Sequence, residues 1–209
     1  MRVQIYKLKS TFQWEFLINL YFFLNLFLTT LFLSNYYMKK IILVGYMGSG
    51  KSTIGKVLSE NVGIPFYDLD EIIEKHENMS VKKIFERKGE VYFRKLEHLL
   101  LNAFIDENEH FVLALGGGTP CYANNHEVLK REDILSFYLK TSVEILSERL
   151  KLEKEARPLI ANFNDEQLTD FINKHLFDRN YYYFQSKHTI DCALKNKEEI
   201  ILDIKALLA

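Results

Sequence analysis

The chain has 209 residues, a length that suits one globular domain with a short appendage. Its 27 Lys and Arg residues nearly balance its 28 Asp and Glu residues, which disfavours a generic nucleic-acid-binding protein. The two cysteines, Cys121 and Cys192, form neither a disulfide framework nor a zinc-binding pattern, and they indicate a reducing cytoplasm.

The first 37 residues differ in composition from the rest of the chain. They hold 11 of the 29 aromatic residues and only four charges, whereas residues 38–209 carry 24 basic and 27 acidic side chains, a formal charge of −3. We therefore divide the chain into a hydrophobic amino-terminal extension, residues 1–37, and a globular domain, residues 38–209.

Phe16 to Leu33 is an apolar segment that is just long enough to cross a bilayer core. Three explanations fit it: a membrane anchor, a signal-like segment, or translated sequence upstream of the functional start. A secretory signal is disfavoured because no small-x-small cleavage pattern precedes Met38. A span would also lie almost against the first strand, which belongs in the middle of the sheet. We favour Met38 as the functional start of a cytoplasmic protein, with a membrane-anchored enzyme as the alternative.

From Met38 onward, short apolar runs alternate with helical periodicity, which predicts a parallel sheet wrapped by helices. Strands are predicted at Ile41–Val44, Ile64–Tyr67, Phe111–Leu115, Ile134–Leu139 and Thr189–Cys192. Helices are predicted at Lys51–Val62, Ser80–Lys88, Glu90–Asn108, Ser142–Lys151, Asp165–Tyr183 and Glu198–Leu208. Gly63 is expected to end the first helix, and Gly89 to separate the second from the third. Ser80 and Asp165 are the expected N-caps. In the last helix, the residues expected to face the core are Ile201, Ile204, Leu207 and Leu208.

The segment Gly45–Ser52 fits the phosphate-loop pattern G-x-x-x-x-G-K-[ST], between a buried strand and an amphipathic helix. Its glycines let successive backbone N–H groups face one small volume, which the positive end of the next helix also addresses. Lys51 is expected to reach the terminal phosphates, and the Ser52 hydroxyl to bind a magnesium ion carried by the nucleotide. The sequence therefore predicts an ATP site.

Two further motifs follow strands at the sheet edge where ligands bind in open α/β folds. Asp68 and Asp70 come after the second strand, and if the extended geometry persists, both carboxylates point to one side. Gly116–Gly118 comes after the third strand and suggests backbone brought against a ligand. The charged segment Leu152–Asn164, which includes Arg157, has the length and composition of a lid loop.

In order and spacing, these motifs resemble the shikimate kinase family over residues 38–209. The matching pieces are residues 45–53, Asp68-Leu69-Asp70, Phe93-Arg94-Lys95-Leu96-Glu97, Gly116–Gly118, Arg157-Pro158-Leu159, Asp178-Arg179 and Ile190-Asp191. The resemblance implies a three-layer α/β/α phosphate-loop kinase fold, similar to that of nucleoside monophosphate kinases, with a five-stranded parallel sheet and a lid.

The resemblance also implies an activity, the transfer of phosphate from ATP to the 3-hydroxyl of shikimate in aromatic amino-acid biosynthesis. The sequence does not give the oligomeric state, and we take a monomer as the working expectation. Ser52 is then the direct Mg²⁺ ligand, Asp68 holds the ion through water, and Asp70 binds the acceptor hydroxyl as its base. The remaining implied assignments are ATP binding by Gly48, Ser49, Gly50, Lys51, Ser52, Thr53 and Arg157, catalysis by Asp70, Lys51 and Arg157, and shikimate binding by Asp70, Arg94, Gly117 and Arg179.

One position departs from the family pattern. Where the family often has an adenine-stacking arginine, seven residues before the lid arginine, this chain has Leu150, with Arg149 beside it. The residue that stacks on adenine is therefore left open. Two alternative functions also remain: a related small-molecule kinase such as a gluconate kinase, and a membrane-attached module that uses ATP only as a switch.

Overall fold

The computed structural model describes Tyr21, residues 39–154 and residues 160–208. The chain divides into two units, Met1–Met38 and Lys39–Ala209. In the first unit, Tyr21 is helical and exposed, and the rest of the predicted apolar segment lies outside the described residues. Among the residues that are described, no helix is both long and apolar enough to cross a membrane.

The second unit is built on a parallel five-stranded sheet, as predicted. Its strands run in the order β2-β3-β1-β4-β5, so that the first strand lies in the middle. Leu43 of β1 pairs with Ala114 of β3 on one side and Phe137 of β4 on the other, which brings the carboxyl ends of neighbouring strands to one edge. The strands are β1 Lys40–Val44, β2 Phe66–Asp68, β3 Phe111–Ala114, β4 Ile134–Lys140 and β5 His188–Asp191.

Helices cover both faces of this sheet. Ile41 and Leu43 pack with Leu58 and Ile204 on one face, whereas Ile42 and Val44 contribute to the core on the opposite face. Because strand side chains alternate, a fully apolar strand such as β1 serves both layers. The helices are α1 Lys51–Val62, α2 Leu69–Glu77, α3 Val81–Glu107, α4 Val143–Leu152, α5 Asp165–Tyr183 and α6 Lys197–Ala206, with 3₁₀ turns at Thr119–Cys121 and Asn125–Lys130.

Most of the predicted helix ends and caps are confirmed. Gly63 ends α1 in the left-handed region, at φ 72°, and Ser80 caps α3 by accepting a hydrogen bond from the Lys83 amide. Gly89 interrupts the helical backbone of α3 at φ 78° and ψ 169°. The prediction for α5 is wrong by one residue, because its cap is Asn164, whose side chain and that of Gln167 form a reciprocal capping box.

Two other predictions about elements need correction. The second strand begins at Phe66 rather than Ile64, because the Ile64 amide bonds back to the Ser59 carbonyl at the end of α1 and Pro65 has no amide to donate. Leu207, the C-cap residue that follows α6, is 43% exposed instead of facing inward, whereas Ile200 within the helix is buried.

Candidate active site

The phosphate loop, Gly45–Ser52, joins the carboxyl end of β1 to α1. Gly48 and Gly50 lie in the left-handed region, at φ 81° and 94°, which favours glycine. Gly45 has no room for a side chain, because a Cβ atom there would lie only 2.8 Å from Ser49 Oγ and 2.9 Å from the Leu139 carbonyl oxygen. Gly50 caps α1 without a side-chain hydrogen bond, which leaves the first-turn amides available to an anion.

A cleft of about 740 Å³ opens over this loop. Lys51 lies on the cleft wall, where its Nζ donates to the carbonyl oxygens of Gly45 at 2.9 Å and Tyr46 at 3.0 Å. The cleft brings together several residues predicted for ATP, metal and acceptor binding, namely Gly48, Ser49, Gly50, Lys51, Ser52, Thr53, Asp68, Asp70 and Gly117.

Asp68 connects the loop to α2. One of its carboxylate oxygens accepts a hydrogen bond from Ser52 Oγ at 2.8 Å, and the other accepts from the Asp70 amide at 3.1 Å. The extended geometry does not persist through Asp70, so the condition for the period-two prediction is not met. Asp68 is the N-cap of α2, so Asp70 already belongs to the helix. Both carboxylates nevertheless line the same cleft.

Asp70 lies in a crowded, largely buried environment. Burial, followed by the neighbouring carboxylates of Asp68 and Glu97, raises its pKa to about 6, although Lys51 opposes the shift. A Cβ atom at Gly116 would lie 3.1 Å from Asp70 Oδ1 and 2.9 Å from Thr119 Oγ1. Glycine at 116 therefore lets the acidic side chain approach the backbone beyond β3.

Arg94 reaches the glycine triplet from α3. Its Nη1 donates to Glu97 at 2.8 Å, and its Cζ lies 4.0 Å from the centroid of the Tyr122 ring. A Cβ atom at Gly118 would lie 3.0 Å from Arg94 Nη2. Glu97 is 1% exposed and also accepts a hydrogen bond from Thr119 Oγ1 at 2.6 Å. Arg94 is thus held in place rather than extended into solvent.

Arg179 reaches the same triplet from α5. Its Nη1 lies 3.4 Å from the Gly117 carbonyl oxygen, which also accepts a hydrogen bond from the buried Tyr183 hydroxyl. Two guanidinium groups from different helices therefore meet the backbone of Gly117 and Gly118. The third arginine predicted for the site, Arg157, lies outside the described residues.

The sequence model of the shikimate kinase family matches residues 47–209. The chain belongs to the shikimate kinase family. It is 51% identical over 172 residues to the shikimate kinase of Flavobacterium johnsoniae, an alignment that covers 82% of this chain and 100% of that protein. It is 39% identical over 171 residues to the shikimate kinase of Parabacteroides distasonis, with 82% and 98% covered.

Solved structures agree with this membership. The shikimate kinase of Bacteroides thetaiotaomicron matches with a TM-score of 0.76 at 34% identity, covering 82% of this chain and 98% of that one. The shikimate kinase of Acinetobacter baumannii, solved in complex with shikimate, matches with a TM-score of 0.72 at 34% identity, covering 82% and 93%. The predicted resemblance, phosphate-loop kinase fold and enzyme class are confirmed.

In this shikimate kinase family member, the structure distinguishes the two residues considered for adenine. Leu150 is fully buried in the core, whereas Arg149 lines the cleft and donates from Nη1 to the Gly48 carbonyl oxygen at 3.0 Å. Residues 195–198, the end of the connection from β5 and the first residues of α6, form another part of the cleft wall. The sequence reasoning missed this segment, although it follows a strand's carboxyl end as the other site motifs do.

Glu97 and Thr119 were also missed as parts of the site. Glu97 follows Arg94 by three residues on one helix, a spacing that places two side chains side by side and is visible in the sequence. Thr119 has no such signal, because its hydroxyl meets Glu97 only after α3 and the turn beyond β3 have packed together.

Proposed function

We propose that the chain transfers the terminal phosphoryl group of ATP to the 3-hydroxyl of shikimate, giving ADP and shikimate 3-phosphate. One observation carries this proposal. Gly116 and Gly117 share a cleft with the phosphate loop, while Arg94 and Arg179 converge on Gly117 and Gly118 from two helices. A carboxylate held by these arginines would place the rest of a small ring between them and the phosphate loop.

The nucleotide end of the site uses the phosphate loop. Backbone amides from Gly48 to Thr53 cradle the phosphates, Lys51 follows the terminal phosphate, and Arg157 adds positive charge from the lid. We assign the base to Arg149, because of the pair considered for adenine it is the residue that lines the cleft.

Magnesium would bind at Ser52, with Asp68 reached through a water molecule. The two side chains fit that role, because their oxygen atoms lie 2.8 Å apart and hard oxygen donors suit this ion. The described residues contain no cluster of three or more His, Cys, Asp or Glu side chains able to hold a metal, so nucleotide oxygens and water would complete the coordination. Bound with ATP, the ion neutralises phosphate charge.

At the acceptor end, Arg94 and Arg179 bind the shikimate carboxylate, a planar group that matches the guanidinium fork. Gly117 contacts the ring through its backbone. Asp70 accepts a hydrogen bond from the 3-hydroxyl and takes its proton as the oxygen bonds to the terminal phosphorus and ADP leaves. Its pKa of about 6 leaves it ionised and still basic near neutral pH.

We propose that the enzyme works as a monomer in the cytoplasm. Both cysteines are free thiols, Cys121 partly exposed and Cys192 buried, which suits a reducing compartment where ATP is available.

The test is an assay of the purified full chain with magnesium ATP and a panel of shikimate, gluconate and nucleoside monophosphates. We expect that, of the acceptors in the panel, only shikimate leads to release of ADP. Phosphorus and proton NMR of the product should show the phosphate on the 3-hydroxyl. A Lys51→Ala variant controls for contaminating kinases. Phosphorylation of gluconate without turnover of shikimate would refute the proposal.

A further inference from the structure

Tyr46 occupies a position of the phosphate loop that the sequence pattern leaves free, yet its side chain is buried to 1% exposure. Its backbone belongs to the loop, since its carbonyl oxygen accepts hydrogen bonds from Lys51 Nζ and from the Ser49 amide. Its side chain leaves the loop and packs on α5. Tyr46 therefore joins two parts of the site that are distant in sequence.

One face of α5 receives this side chain. Phe171, His175 and Arg179 recur every four residues and so lie along one stripe of the helix. Tyr46 Oη lies 3.3 Å from His175 Nδ1, and the two rings meet edge to face with centroids 6.4 Å apart. The Phe171 ring also packs against His175, at a centroid distance of 3.9 Å.

Arg179 lies one turn further along the same stripe. Its Cζ is 5.6 Å from the centroid of the Tyr46 ring, within the range of a cation–π contact. The Tyr46 ring is thus a platform for the guanidinium that also contacts the Gly117 carbonyl oxygen. The hydrogen bond to His175 fixes the orientation of that platform.

The hydrogen bond is not explained by phosphate binding. Burial raises the pKa of Tyr46 to about 12, so the hydroxyl keeps its proton. It donates to Nδ1 or accepts from it, according to the tautomer of the imidazole. A phenylalanine would fill the same core space without a polar atom to satisfy. The hydroxyl therefore serves the contact with α5.

We propose that Tyr46 and His175 are positioning residues that hold Arg179 in place to receive the acceptor carboxylate. This inference rests on the proposed function, in which Arg179 binds that carboxylate. The pair acts on acceptor affinity through Arg179, without touching the nucleotide. It also attaches the acceptor-binding helix to the phosphate loop.

The test compares Tyr46→Phe with the matched control Tyr138→Phe. Tyr138 is another buried tyrosine whose hydroxyl donates a hydrogen bond to α5, to Asn180 Oδ1 at 2.9 Å, and it does not contact Arg179. We expect Tyr46→Phe to raise the KM for shikimate roughly three- to tenfold, the effect of one hydrogen bond, with kcat and the KM for ATP nearly unchanged. Tyr138→Phe should leave the KM for shikimate at its wild-type value.

Substitutions at His175 complete the experiment. His175→Leu removes the hydrogen-bonding partner of the Tyr46 hydroxyl and should reproduce Tyr46→Phe. His175→Asn retains a side chain that can donate or accept a hydrogen bond and should keep most of the wild-type affinity for shikimate. The double variant Tyr46→Phe, His175→Leu should be no worse than either single variant, because both remove one interaction.

Three outcomes would overturn the inference: an unchanged KM for shikimate in Tyr46→Phe, an equal rise in the KM for ATP, or an equal effect of Tyr138→Phe. A merely structural role would lower the melting temperature and the active fraction while leaving the KM for shikimate unchanged. Failure of the proposed function itself is distinguishable, since the wild-type enzyme would then not phosphorylate shikimate.

Discussion

The guanidinium of Arg94 and the carboxylate of Glu97 are joined at 2.8 Å on adjacent turns of α3, and Glu97 is almost completely buried. Thr119 bonds the second oxygen of Glu97, so the carboxylate is tied on both sides. This arrangement fixes the direction in which Arg94 presents its remaining N–H groups. Acceptor binding should therefore depend on the shape of the Arg94 side chain as well as on its charge.

Arg94→Lys tests that dependence. The ammonium group keeps the charge but loses the two-pronged match to a carboxylate, so shikimate binding should weaken by ~1.5–3 kcal/mol. ATP binding should hardly change. Isothermal titration with each ligand measures both affinities, and Arg87→Lys, at an exposed arginine of the same helix, is the control. Wild-type shikimate affinity in Arg94→Lys would remove this residue from the acceptor site.

Asp70→Asn should fail in a different way. The amide still bonds the acceptor hydroxyl but cannot take its proton, so turnover should fall by about 10²- to 10⁴-fold while shikimate binding is largely kept. Steady-state kinetics combined with equilibrium binding separates the two effects. If Asp70→Asn retained wild-type turnover, a base at this position would not be needed.

The fold was largely predictable because its signals are local. Short buried runs that end at glycines locate β1 and β3 to within a residue, and α1 has the predicted bounds, since the phosphate loop begins it and Gly63 ends it. The helix α2 was missed because Asp68 ends a strand and caps a helix at the same residue. The prediction treated Asp68 and Asp70 as alternate residues of one strand, and that pattern cannot reveal a change from strand to helix at Asp68.

The site was predictable wherever a motif follows a strand. Phosphate-loop residues, Asp68, Asp70 and Gly117 meet in one cleft because parallel strands bring their carboxyl ends to one edge. Contacts that depend on how helices pack were not predictable: Thr119 with Glu97, and Tyr46 with His175. Neither pair has a sequence spacing that marks it.

Arg157→Ala should lower turnover far more than it weakens shikimate binding. We predict that the charge of this lid residue matters most while the phosphoryl group is in transfer, so its loss raises the transition-state barrier selectively. Single-turnover kinetics with saturating ATP and shikimate measures the chemical step directly, and Arg87→Ala controls for the loss of an exposed positive charge. An unchanged rate would exclude Arg157 from the reaction.

Residues 38–209 should suffice for activity. The described elements of the unit Lys39–Ala209 begin at β1, and the alignment to the Flavobacterium johnsoniae relative spans 172 residues. A protein made of residues 38–209 should therefore remain in solution after centrifugation and match the full chain in kcat and in both KM values. A large loss of turnover in a folded, shortened protein, as judged by circular dichroism, would show that the extension contributes to the site.

The raised pKa of Asp70 makes a prediction about stability that is independent of catalysis. Its carboxyl group has a pKa of about 6 in the folded protein against 3.8 in the unfolded chain. Below pH 3.8 Asp70 is protonated in both the folded and the unfolded state, so its ionisation does not lower the free energy of unfolding. Between the two pKa values the folded state binds the extra proton, so stability falls as pH rises; above pH 6 the penalty is constant.

Replacing Asp70 by Asn removes that penalty. In the absence of nucleotide and with a chelator present, Asp70→Asn should be more stable than the wild type at pH 7.5, by up to about 3 kcal/mol, and the gain should shrink as pH falls from 6 to 4. Denaturant unfolding at several pH values measures this. Asp133→Asn is the opposite case: Arg131 lowers the pKa of Asp133 to about 2, so that variant should lose stability at pH 7.5 and recover as pH falls towards 2. A pH-independent difference for Asp70→Asn would mean that its carboxyl group is not strained by burial and by its acidic neighbours.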